Sequence, residues 1–84
     1  MLNPYEDFPE HTKLGDTTKR GMYRLSGFRA DNMWFDVQSN SLMALAQWYL
    51  KFRKRIDRRG VKLEESSWKK ASKATIDIFE KMVD

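Results

Sequence analysis

The sequence predicts an α+β fold in which an N-terminal extended arm and a small β-hairpin pack on a C-terminal antiparallel two-helix hairpin, with an all-α chain as the alternative. Three patterns carry this expectation. Leu42, Leu45, Tyr49, Phe52 and Ile56 recur three and four apart, which aligns them as one stripe of a helix. Trp68, Ala71, Thr75, Ile78 and Met82 repeat that spacing, with Phe79 alongside. Met33, Phe35 and Val37 alternate with Trp34 and Asp36, as one side of a strand would.

Taken in order, residues 1–20 read as an arm and loop, with Pro4 and Pro9 around Tyr5 and Phe8 and a polar run near Gly15. Tyr5 and Phe8 suit either packing on the domain, the commoner outcome, or docking on a partner. Residues 21–38 read as a β-hairpin, although Asp31 could instead cap a helix, because short apolar runs fit both periods. Residues 41–59 form the first predicted helix, with Ser39, Asn40 or Ser41 as its cap and Gly60 as its stop. Residues 64–83 form the second, supported by four-residue charge pairs at Glu65/Lys69 and Asp77/Lys81. The short Gly60–Leu63 connection makes the two helices antiparallel neighbours within a single domain spanning 1–84.

The first helix carries a second apolar face at Met43, Ala46 and Leu50, which needs a cover. The hairpin could supply it within the chain, the favoured outcome, or a second copy could supply it in a homo-oligomer.

Composition narrows the chemistry. A chain of 84 residues with 40% hydrophobic and 33% charged residues is rich enough to fold and polar enough to dissolve. The absence of cysteine excludes disulfides, thiolate nucleophiles and cysteine-based zinc sites, and suits a cytoplasmic setting. The longest apolar run, Leu42 to Ala46, is far short of a membrane span, and the N-terminus lacks the basic and apolar stretches of a signal peptide. His11 is the sole histidine, and a solvent-exposed role outweighs a metal-binding or acid-base one. No nucleophile elbow, phosphate-binding loop, metalloprotease motif or calcium loop occurs, so neither an enzyme, a metal nor a cofactor is expected.

The charge is more informative. The net +4 divides into about −1 over residues 1–40 and about +5 over residues 41–84. Seven cations, Lys51, Arg53, Lys54, Arg55, Arg58, Arg59 and Lys62, crowd into one stretch with Asp57 as the single acid. A solvated helix end explains such a run plainly; a surface for phosphates or carboxylates is the functional reading. Read as a helix, Lys51, Lys54, Arg55 and Arg58 fan across one side and Arg59 and Lys62 extend the charge into the turn. A lesser candidate is a glycine-flanked anion loop at Lys13, Thr17, Thr18, Lys19 and Arg20, where an oligomer could hold a small anion or nucleotide.

The favoured expectation is a small non-enzymatic protein-interaction module, an adaptor or inhibitor. Its basic helix end would steer it to an acidic partner, and Met43, Ala46 and Leu50 would anchor it. The alternative is a nucleic-acid-binding protein making mainly phosphate-backbone contacts.

Overall fold

The computed structural model describes residues 11–15, 23–65 and 69–84. Strand β2 (Tyr23–Arg29) and strand β3 (Trp34–Ser39) pair antiparallel, with Leu25 opposite Val37 and Gly27 opposite Phe35. Their connection is closed by two backbone bonds, from the Arg29 amide to the Met33 carbonyl (2.7 Å) and from the Asn32 amide to the Arg29 carbonyl (2.9 Å). Asn32 takes the left-handed conformation (φ 69°) that the turn requires, and its short polar side chain tolerates this better than most.

The sheet then grows in both directions. Strand β1 (His11–Lys13) lies parallel to β3, where the sequence pattern predicts only an arm. Strand β4 (Ile56–Glu65) pairs antiparallel with β2, and the two-residue β5 (Lys69–Lys70) pairs with β4. Among the described residues, the result is one mixed five-stranded sheet in the order β1-β3-β2-β4-β5.

This overturns the predicted architecture of a two-helix hairpin with a small β-hairpin beside it. Helix α1 (Leu42–Phe52) begins where expected, with the Ser41 hydroxyl accepting the Ala44 amide at 3.1 Å, but it ends at Phe52. A short 3-10 turn at Arg53–Arg55 leads directly into β4. A β2–β3 hairpin standing alone would be marginal and would leave one edge of β2 unpaired. Pairing β4 along that edge satisfies the backbone and brings Leu63 opposite Leu25. Ile56 is buried as the helical stripe implied, yet it is buried from a strand.

The second predicted helix is likewise shortened, to α2 (Lys73–Val83). The Glu65/Lys69 spacing, read as a helical charge pair, places these residues opposite each other across β4 and β5. Glu65 also accepts the Ser72 amide (3.0 Å) and the Thr75 hydroxyl (3.1 Å), so its carboxylate caps α2 beside the Ser72 cap. The packed stripe of α2 is Thr75, Ile76, Phe79, Met82 and Val83, whereas Ile78, assigned to that stripe from sequence, is half exposed. Trp68 lies outside the described residues, as do Tyr5 and Phe8.

The core forms between the helices and the sheet face that carries Leu25, Phe35, Val37 and Leu63. From α1 it receives Leu45, Ala46, Trp48, Tyr49 and Phe52, and from α2 Phe79, whose ring meets Tyr49 edge-on at 5.9 Å. Among the described residues, no helix is long and apolar enough to cross a membrane.

Candidate functional site

One end of the sheet gathers segments that are distant in sequence. The β2–β3 turn, the C-terminal end of α1, the 3-10 turn and the start of β4 meet there, tied by the bond from the Ala30 amide to the Arg55 carbonyl (2.7 Å). Opposite β2, Ser26 faces Lys62 and Phe28 faces Asp57, so residues Arg58 to Val61 all stand against Gly27. Four residues against one make a large bulge, and it carries the exposed Arg58 and Arg59.

Gly27 is what lets the bulge close. A Cβ at that position would meet the Gly60 carbonyl oxygen and the Val61 Cα at 3.2 Å, and the Phe35 ring at 3.3 Å. Gly60 in turn lies against the ring of Phe28, where a methyl group would sit at 3.8 Å. The bulge is thereby seated between the core and the Phe28 ring.

The predicted cationic run therefore surrounds this end without lying on one helix. Lys51 ends α1, with its ammonium 5.2 Å from the centre of the Phe52 ring. Arg53, Lys54 and Arg55 occupy the 3-10 turn, and the Arg55 guanidinium stands 5.6 Å from the same ring. Arg58 and Arg59 are in the bulge and Lys62 is on β4. The helical fan drawn from Lys51, Lys54, Arg55 and Arg58 is replaced by a cluster that three elements build. These cations also favour the negative end of the α1 dipole, which accounts for Lys51 and Arg53 but not for the bulge.

Arg59 differs from the others. Its side chain donates to Asp57 Oδ1 from Nε (3.1 Å) and to Oδ2 from Nη2 (3.3 Å), which offsets its charge. The side-chain hydrogen bond from Arg59, and then the Arg59 backbone amide, hold the Asp57 carboxyl below the usual aspartate range. Among the described residues, no ion pair engages Arg53, Lys54, Arg58 or Lys62.

One aromatic ring, Phe28, abuts this cluster through Gly60, and Trp34 packs on that ring. Phe28 and Trp34 face each other across β2 and β3 on the sheet face away from the core, and remain 46% and 37% exposed. Their centroids are 5.5 Å apart with the planes at 80°. The sequence pattern alone assigns Trp34 no surface role and does not single out Phe28. The signal that locates Phe28 is the Ala30-Asp31-Asn32 turn, because fixing the hairpin register there sets Phe28 opposite Trp34.

The remaining candidates are dispersed. Met43 (59% exposed) and Leu50 (40%) do face outward from α1, but Ala46 is only 2% exposed and belongs to the core, so the three do not form one apolar face. Lys13 is exposed on β1; Thr17, Thr18, Lys19 and Arg20 lie outside the described residues. His11 has a largely exposed side chain, and its Nδ1 lies 2.9 Å from Asp36 Oδ2. No group of three or more His, Asp or Glu side chains able to hold a metal occurs among the described residues.

A groove of about 920 Å³ opens between α2 and β4, floored by Leu25, Tyr49 and Phe79. Arg53, Arg58 and Lys62 line it together with Glu64, Glu80 and Asp84, so its walls carry both signs. These three cations are the flank of the cationic cluster that faces the groove, where the acids temper the field, whereas Lys51, Lys54, Arg55 and Arg59 do not line it.

Comparison of the chain with protein-family models, curated proteins and solved structures returns no match.

Proposed function

We propose that this chain is a nucleic-acid-binding protein that acts by contact and performs no reaction of its own, gripping the phosphate backbone through Lys51, Arg53, Lys54, Arg58 and Lys62. The observation that carries the reading is the convergence of these cations from α1, the 3-10 turn and the β4 bulge, with Arg53, Lys54, Arg58 and Lys62 in no ion pair among the described residues. Such a cluster offers several phosphate contacts over one short surface, and each contact releases condensed counterions. A backbone grip of this kind supplies affinity with little sequence readout.

Salt-dependent binding tests it. Fluorescence anisotropy with a labelled 20-nucleotide single strand is expected to weaken with added salt, with a log–log slope between about −2.8 and −3.5, as four to five phosphate contacts require. The double variant Arg53→Glu/Arg58→Glu is expected to lose affinity by on the order of 10²-fold near 0.1 M salt. Absence of binding at about 50 mM salt, where phosphate contacts are strong, would overturn the reading.

The second reading, a protein-interaction module with an acidic partner, draws on Met43 and Leu50, which stay exposed on the helix that leads to Lys51. It requires one defined protein partner that survives nuclease treatment and is released by Met43→Ser/Leu50→Ser. Loss of that partner on nuclease treatment returns the assignment to nucleic acid.

A further inference from the structure

We infer that Phe28 and Trp34 are a base-stacking platform, so that the site takes single-stranded polynucleotide in preference to duplex; this rests on the nucleic-acid reading above. The pair sits opposite across β2 and β3, on the face away from the core, with both rings substantially exposed. Because the planes stand 80° apart, the edge-to-face contact occupies one face of one ring only, whereas parallel stacking would have used a face of each. Ring faces are therefore left for other planar groups.

Position supplies the second part of the argument. The bulge bearing Arg58 and Arg59 abuts Phe28 through Gly60, so these two cations lie two residues and one residue from the glycine that stands against the ring. A phosphate held at the bulge places its own base, or the next, over the rings. Bases in a duplex already stack on one another and present only their edges, whereas a single strand can splay its bases onto aromatic side chains. The plainer role for these rings is a cross-strand pair that steadies the hairpin, worth some stability but indifferent to ligand. Exposure of both rings, with Arg58 in no ion pair among the described residues two positions from Gly60, goes beyond what that role needs.

The experiment compares the full-length chain with its Phe28→Leu/Trp34→Leu variant. Each is titrated with 20-nucleotide oligothymidylate, 20-nucleotide oligouridylate, a 20-base-pair duplex and a heparin fragment. The two single strands separate DNA from RNA as the source of the same chemistry, and heparin supplies anionic charge without bases. The expected result is at least about tenfold tighter binding of one or both single strands than of duplex. The variant should lose about 5- to 100-fold per ring on the single strands while duplex and heparin binding hold.

Tryptophan emission should be quenched by the preferred strand in the parent and less so in the variant. Trp34→Phe, which keeps a ring, should retain most of the affinity. If the double leucine variant melts early, Trp34→Thr, a strand-compatible side chain, replaces it. Equal affinity for single strand and duplex, or an unchanged single-strand affinity in a folded ring variant, overturns the stacking platform while leaving the phosphate grip standing. No binding of either single strand or of duplex by the parent overturns both. Retention of a nuclease-resistant protein partner that depends on Trp34 overturns the platform in favour of a protein anchor.

Discussion

Asp57 and Arg59 set how much of the cationic charge reaches outward. The carboxylate accepts the Arg59 amide at 3.1 Å as well as its guanidinium, a local arrangement at the base of the bulge. With the Asp57 pKa lowered in the folded state, the pair's contribution is fully present above the ordinary aspartate value. It fades as the pH falls through the lowered one, so the bulge keeps this tie at neutral pH and loses it only in acid. A carboxyl-detected NMR titration should find Asp57 protonating at lower pH than an ordinary aspartate, and Arg59→Ala should bring the midpoint back up. Asp57→Asn should release Arg59 and strengthen single-strand binding a few-fold, on the order of one added phosphate contact. Weaker binding in a folded Asp57→Asn protein would mean that the pair's geometry matters more than its charge.

At the scale of elements, the bulge depends on the closeness of two glycine backbones. Gly27→Ala must push the Gly60 carbonyl or the Phe35 ring by a few tenths of an ångström, and neither is the loose end of a flexible side chain. The expected cost is about 1–3 kcal/mol by chemical denaturation, accompanied by weaker nucleic-acid binding as the bulge shifts. Unchanged stability would show that the strands part without strain. The same region explains how much could be read from the sequence. Alternation at Phe35 and Val37 and the Ser41 cap are local features, and the β2–β3 pairing and the start of α1 follow from them, although Met33, grouped with that strand face, precedes β3 and is half exposed. The strand at Ile56–Glu65 depends on pairing with β2, as in Leu25 against Leu63, and no local period encodes a partner so distant in the chain. Ile56 also falls four residues after Phe52, so its burial satisfied a helical stripe by coincidence. The cations were visible as a run, but their common surface arises only once the chain turns from helix to strand at Arg53–Arg55.

For the molecule as a whole, collecting like charges at one end opposes folding at low ionic strength, and salt or a bound polyanion relieves that repulsion. The melting temperature should rise by a few degrees between about 10 and 200 mM NaCl, and further with single-stranded polynucleotide present, as linkage requires. A melting temperature that falls with salt would mean that attractive pairs such as Arg24–Glu64 dominate the electrostatics instead. The core that must withstand this repulsion is small, centred on the fully buried Phe35, Leu25, Leu45 and Val37. The sheet around that core closes with short strands at both margins, β1 at His11–Lys13 and β5 at Lys69–Lys70, each with lysine exposed. At the first margin an added strand would meet only three residues of β1; at the other, β5 covers only Glu64 and Glu65, and the rest of β4 offers a bulge bearing Arg58 and Arg59 rather than a flat strand. The fold thus discourages its own fibrillar growth, so that crowding along a polyanion, where many copies would be drawn together, need not end in aggregation.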